Sequence, residues 1–265
     1  MLDLPYLTEK VCTIAKEAGD FIRKERLDFD ESKIEQKGLH DLVSYVDKTS
    51  EELIVKRLLK LLPEAGFITE EKTIQKKGEI FDWIIDPLDG TTNFVHNIPA
   101  YCVSIALTRN RQPIIGVVYE INSEGCYYAF ENGGAYLNDS PICVSMTQSL
   151  SSSLLATGFP FYKFAYQDEY INLLKHLMQQ CRGIRRIGSA ALDLAYVASG
   201  RFDSFFEYNL NDYDMAAGLL LVKEAGGELF DFSGGKGMLD KRSVIAGNIP
   251  ISNLVLEAVK EYFQK

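Results

Sequence analysis

The chain has 265 residues, 46% of them hydrophobic and 25% charged, which is ordinary globular usage with apolar material for a sizeable core and excludes a disordered chain. Its 37 acidic and 28 basic residues leave a formal net charge of -9, which speaks against nucleic acid as a direct partner and against an anionic membrane surface. Cys12, Cys102, Cys126, Cys143 and Cys181 form no C-x-x-C pair and read as reduced thiols of a cytoplasmic protein, and no apolar run approaches the roughly 20 residues that cross a bilayer.

The N-terminus carries Asp3, Glu9 and Glu17 and no basic-then-apolar block, so no secretory signal is expected. Leu7, Val11, Ile14, Ala15, Ala18, Phe21 and Ile22 recur at helical spacing and predict a helix over 6–25. Leu53, Ile54, Leu58 and Leu61 predict a second over 48–62, capped by Asp47 and stopped by Pro63 and Gly66. Phe67-Ile68 and Trp83-Ile84-Ile85 are short apolar runs that read as buried strands. Residues 101–109 and 113–120 read as strands joined by a turn at Asn110-Arg111, and 126–131 and 134–137 continue that texture. The first half therefore predicts two helices followed by an antiparallel sheet. The second half alternates, with extended segments at 154–156, 183–187, 204–207 and 228–231 and helices at 170–180, 190–199, 215–225 and 254–263. Such alternation implies α/β layering. The serine-rich stretch 149–153 is the candidate boundary between a half at 1–148 and a half at 149–265.

The chemistry concentrates in Trp83-Ile84-Ile85-Asp86-Pro87-Leu88-Asp89-Gly90-Thr91-Thr92-Asn93-Phe94. Taken alone, D-x-x-D-G is first of all a turn, since Asp-Pro and Asp-Gly are common loop formers. The same residues at the end of an apolar strand also present hard oxygen donors, which suit Mg²⁺, and the Leu88 carbonyl adds a neutral one. Gly90 lets the backbone pass close to a ligand, and amides opening a helical turn there would face an anion. Glu70-Glu71 follows an apolar run in the same way, but taken alone adjacent glutamates read first as a solvated loop. Asp214, ahead of an apolar helix, reads on its own first as a cap or first-turn carboxylate. His40, His96 and His176 are too scattered for a histidine metal site, and no G-x-S-x-G or P-loop motif is present.

Several blocks, in order, resemble the inositol monophosphatase family of metal-dependent phosphatases. They are Asp41-Leu42-Val43-Ser44-Tyr45-Val46-Asp47, Phe67-Ile68-Thr69-Glu70-Glu71, the stretch from Trp83 to His96, Gly188-Ser189-Ala190-Ala191-Leu192-Asp193, and Asp214-Met215-Ala216-Ala217-Gly218 running to Gly227. The resemblance implies an α/β fold, a layered αβαβα sandwich of the sugar-phosphatase type, with an α+β first half carrying most metal ligands. It implies that Glu70, Asp86, the Leu88 carbonyl, Asp89 and Asp214 hold Mg²⁺, and that Asp47 and Thr91, with Glu70, serve the attacking water. Asp89, Gly90, Thr91, Thr92 and Asp214 would meet the phosphate side of the substrate, and Gly188, Ser189, Ala190 and Glu207 the alcohol side. Carboxylates converging in this way repel unless cations cancel them, and the cations would turn an acidic pocket into one that attracts phosphate.

The implied reaction is hydrolysis of a small sugar-alcohol phosphate, inositol monophosphate first, by water and without a covalent intermediate. Lithium inhibition and a homodimer are implied with it. The Thr91-Thr92-Asn93-Phe94 run resembles the inositol branch, whereas bisphosphate nucleotidases and histidinol-phosphatases commonly carry Lys after Gly-Thr. Those two activities and fructose-bisphosphatase are the rival substrates. A role in a protein or RNA assembly, with catalysis secondary, is the rival of another class. Thr69 stands where the family has Gly, Tyr213 where Trp is usual, and Ser44 where Thr is common.

Overall fold

In the computed structural model, which describes residues 2–29, 35–38, 41–43, 45–159 and 164–263, the chain opens on helix α1 (Leu4–Leu27). His40 and Ser44, named above, lie outside the described residues. Asp3 caps α1 by accepting from the Tyr6 amide at 3.1 Å, and Leu7, Val11, Ile14, Ala15, Ala18 and Ile22 form its buried stripe. A short antiparallel pair, β1 (Glu35–Gly38) and β2 (Asp41–Val43), precedes α2 (Tyr45–Leu61). The helix α2 starts three residues before the apolar periodicity does, because its first turn carries Asp47 inward instead of using it as the cap.

Seven strands follow in one sheet: β3 (Gly66–Thr69), β4 (Phe81–Asp89), β5 (Cys102–Arg109), β6 (Gln112–Glu120), β7 (Gly125–Phe130), β8 (Ala135–Leu137) and β9 (Ser140–Ile142), in that spatial order. The short helix α3 (Thr91–Val95) interrupts them after β4. The β5–β6 turn is where it was expected, with Asn110 at φ 51° and Arg111 at φ 62°, the paired left-handed conformation that suits a two-residue hairpin. The sheet is not wholly antiparallel, since β3 pairs with β4 in parallel, a connection the sequence pattern did not separate from a hairpin.

The second sheet holds β10 (Leu154–Thr157), β11 (Gly183–Arg185), β12 (Ser204–Tyr208), β13 (Glu228–Phe230) and β14 (Ser243–Gly247), ordered β11-β10-β12-β14-β13. The strand β14, flanked by Arg242 and Asn248, has no counterpart among the extended segments read from the sequence. The helices of this half are α4 (Gln167–Met178), α5 (Ala190–Ala198), α6 (Asp212–Glu224), α7 (Met238–Lys241) and α8 (Ile249–Phe263). Among the described residues, no helix is long and apolar enough to cross a membrane.

Alternation along the strands makes three cores and hence five layers. Val103, Ile105 and Leu107 of β5 face α1 and α2, while Cys102 and Ala106 face the other way. That second face packs against α5 and α6, which in turn cover Ala156, Phe205, Val244 and Ala246 of the second sheet. Leu155, Phe206 and Ile245 point out to a third core with Tyr170, Leu173 and Leu177 of α4 and Ile251, Val255 and Val259 of α8. The result is an α/β/α/β/α sandwich. Gly116 permits a close approach of β6 to α6, because a Cβ there would lie 2.6 Å from the Ala217 carbonyl oxygen.

Candidate active site

The strand β4 carries the acidic segment into the middle layer. Asp86 pairs with Ser104 and Asp89 with Cys102, so three residue steps on β4 meet two on β5. Pro87 has no amide to give to the ladder, and a bulge forms across it. In an unbroken strand, residues three apart face opposite sides. The bulge returns both aspartates to the side of Cys102, facing α5 and α6, while Leu88 stays in the core under α1 and α2.

Asp86 is buried, and its Oδ1 accepts the Leu88 amide at 3.0 Å. Asp89 Oδ2 accepts from Ser189 Oγ at 2.6 Å and from the Ala191 amide at 2.7 Å, which ties β4 to the first turn of α5. Ser189 is the cap of that helix, accepting from the Leu192 amide at 3.3 Å. Gly90, at φ 96°, turns the chain into α3, where Thr91 Oγ1 lies 3.0 Å from Asp47 Oδ1 and 3.0 Å from the Leu88 carbonyl oxygen. Asp214 sits in the first turn of α6 and accepts the Asn211 amide at 2.6 Å.

Electrostatics shows which of these groups share one place. Burial pushes Glu70 well above the ordinary carboxylate range, and the charges of Asp214, Asp47 and Glu71 push it further. Asp86 is raised by burial and then by Glu70, Asp89 and Asp214. Asp214 is pushed up to about 7 by burial and by Asp89. Asp89 reaches only about 6, because the bonds from Ser189 and Ala191 stabilise its charged form. Glu207, on β12, is pushed up to about 8 by burial and Asp214, with Arg186 opposing. The structure thus brings Asp47, Glu70, Asp86, Leu88, Asp89, Thr91, Ser189, Glu207 and Asp214 into one neighbourhood. Gly188, at φ 93°, and Ala190 flank Ser189. Thr92 is exposed on the first turn of α3, His96 is exposed just after it, and His176 is half-buried on α4.

Three further residues belong to this neighbourhood and were not singled out from the sequence. Asn93 donates its side-chain amide to the carbonyls of Ala100 at 2.7 Å and Ile187 at 3.0 Å, joining the β4 segment to the turn before Gly188. The Arg186 guanidinium opposes the pKa rise of Asp89, Asp193 and Glu207, and stacks 5.5 Å from the Phe159 ring. Asp193 is buried on α5, with Oδ1 lacking a hydrogen-bond partner. Asn93 and Asp193 lie inside blocks that carry the resemblance but were given no role there, and nothing local to Arg186 in the sequence marks it.

Among the described residues, no three His, Cys, Asp or Glu side chains are already gathered as a metal-holding group. The carboxylates are electrostatic neighbours rather than a closed shell. Their chemistry nevertheless fits a hard divalent cation. The donors are all oxygen; burial raises the proton affinity of Glu70, Asp86, Asp89 and Asp214, and the charge of neighbouring carboxylates raises that of Glu70, Asp86 and Asp214 further.

The model of the inositol monophosphatase family matches residues 3–264. An inositol-1-monophosphatase of Mesorhizobium japonicum is 41% identical over 248 residues, with 93% of each chain covered. The Nus factor SuhB of Escherichia coli is 40% identical over 248 residues, again with 93% of each covered. Among solved structures, the extragenic suppressor protein SuhB of Bartonella henselae aligns with a TM-score of 0.91 at 39% identity, covering 96% of this chain and 98% of that one.

Proposed function

The chain belongs to the inositol monophosphatase family, and from that membership we propose a metal-dependent phosphomonoesterase that hydrolyses a small sugar-alcohol phosphate, inositol monophosphate first. The observation that carries the reading is the meeting of four carboxylates from three distant stretches of chain: the β4 bulge turns Asp86 and Asp89 to one face, and Glu70 and Asp214 lie close enough for their charges to raise the proton affinity of Asp86.

In this reading Glu70, Asp86, Asp89, Asp214 and the Leu88 carbonyl hold Mg²⁺. When bound, the cation supplies the positive charge that attracts phosphate, lowers the pKa of water and stabilises the departing alkoxide. Asp47 holds the Thr91 hydroxyl, and the pair, beside Glu70, orients the attacking water and takes up its proton. The Gly90 and Thr91 amides receive phosphate oxygens, with Thr92 beside them. Ser189 holds Asp89, and Gly188, Ala190 and Glu207 border the polyol. Water attacks phosphorus directly, so the products are the free alcohol and inorganic phosphate. Lithium inhibition, a homodimer and a cytoplasmic site of action accompany this reading.

Steady-state rates on a panel of phosphate esters test it. Activity lost to a chelator, restored by Mg²⁺ and highest on inositol monophosphate is the expected outcome. Faster turnover of an adenosine bisphosphate, histidinol phosphate or fructose bisphosphate would overturn the substrate, and return with Zn²⁺ but not Mg²⁺ would overturn the metal. A second reading rests on the 40% identity to the Nus factor SuhB: that the chain also serves as a protein partner in an assembly. An Asp86→Asn chain that fully rescues a deletion phenotype would put that role first; one that rescues nothing would put catalysis first.

A further inference from the structure

One face of α2 touches every segment that carries the first half of the acidic site. Asp47, Ser50 and Glu51 stand at positions i, i+3 and i+4, which share a helical face. All three are buried, at 1%, 0% and 0% exposure. Asp47 Oδ1 lies 3.0 Å from Thr91 Oγ1, at the start of α3. Ser50 Oγ donates to the Pro87 carbonyl at 3.2 Å, inside the β4 bulge. Glu51 reaches the loop that leaves β3.

The Glu51 contacts are the most complete. Its Oε2 accepts the Glu71 amide at 2.8 Å, and its Oε1 accepts the Thr73 amide at 2.8 Å and Thr73 Oγ1 at 2.7 Å. Between those amides Lys72 has φ 56°, so the backbone curls and presents successive N–H groups to one anion. The ladder between β3 and β4 fades just before this point, where the Glu70 amide meets the Ile85 carbonyl at 3.3 Å. Glu51 takes over where the ladder stops. The residue between the last rung and the first Glu51 bond is Glu70.

We infer that Glu51 is a positioning residue, which fixes the loop after β3 so that the Glu70 carboxylate faces Asp86, and that the Asp47–Ser50–Glu51 face of α2 is the bracket aligning the three segments. This rests on the functional reading above. The contacts depend on a full acceptor: both oxygens are engaged by three donors, and an amide at this position would turn N–H groups toward one set of them.

The test compares Glu51→Gln with the unaltered protein and with Glu52→Gln, its exposed neighbour. Two quantities are read against Mg²⁺ concentration: the thermal shift of the protein and the hydrolysis of inositol monophosphate. In Glu51→Gln the Mg²⁺ concentration for half-effect should rise roughly 10–100-fold in both readouts, the usual consequence of losing a group that orients metal ligands. The kcat at saturating Mg²⁺ should stay within about threefold, and Glu51→Asp should recover part of the loss. Glu52→Gln should match the unaltered protein. A Glu51→Gln protein that merely melts lower, with the same Mg²⁺ half-effect, would overturn the inference. Should Glu51→Gln fail to fold, Thr73→Val removes one of the three donors, and an unchanged half-effect there would overturn it. If the unaltered protein shows no Mg²⁺ response by either readout, the functional reading falls first and the inference with it.

Discussion

Thr69 closes β3 opposite Ile85, and its hydroxyl is buried without a hydrogen-bond partner. It stands one residue before Glu70, where the family resemblance led us to expect Gly. A buried hydroxyl with no partner has lost its water and gained nothing in exchange. Thr69→Val keeps the shape and the strand preference and removes the orphaned oxygen. We expect the melting temperature to hold or rise, by up to about 1 kcal/mol of stability, with the Mg²⁺ dependence unchanged. A loss of more than about 1 kcal/mol in calorimetry would mean that the oxygen is paired in solution. Residues whose role is local were legible in the sequence. Asp86, Asp89 and Gly90 lie within five positions of one another, so their chemistry could be read together. Arg186, Asp193 and Glu51 act across space on residues far along the chain, and no spacing in the sequence encodes that.

Among the elements, β4 and α6 do most to assemble the site. Pro87 and its bulge turn Asp86 and Asp89 to one face, an outcome that simple alternation would have denied them. The helix α6 brings Asp214 to meet them, and it lies against β6 only because Gly116 has no side chain. Gly116→Ala would set a Cβ against the backbone of Ala217, with no flexible group to yield. It should destabilise the fold by about 1–3 kcal/mol, the usual range for overpacking a tight contact, and weaken the Mg²⁺ response by shifting Asp214. A Gly116→Ala protein with unaltered melting temperature would show that α6 can slide freely on the sheet. Long periodic helices and hydrophobic strands were readable from the sequence. The strand β14 and the start of α8 were not: the β14 run Ser243–Gly247 is buried along its whole length and so has no polar alternation, and Pro250 in the first turn of α8 serves a helix start and a turn alike.

At the scale of the molecule, three cores hold five layers, and the site lies where the middle helices meet the first sheet. The layering was visible as alternation, but the order β11-β10-β12-β14-β13 was not, since pairing partners leave no mark in a single sequence. The assembled site also strains the fold it belongs to. Asp89, Asp214 and Glu207 are pushed up to about 6, 7 and 8. A carboxyl raised in the folded state binds protons better there than in the unfolded chain, so stability falls as pH rises from the ordinary carboxylate range through those values. Without divalent cations the melting temperature should therefore drop between about pH 5 and 8, and Mg²⁺ should restore it most at the alkaline end. A Mg²⁺ shift equal at both ends of that range would contradict the link between repulsion and metal binding.

If the protein works as proposed, Glu70, Asp86, Asp89 and Asp214 surround a divalent cation. Anomalous diffraction from a crystal of the protein grown with Mn²⁺, a hard ion that scatters where Mg²⁺ does not, reads it directly. Strong peaks are expected among those four carboxylates and the Leu88 carbonyl. Peaks only elsewhere on the protein, or none under conditions where Mn²⁺ supports hydrolysis, would contradict that arrangement.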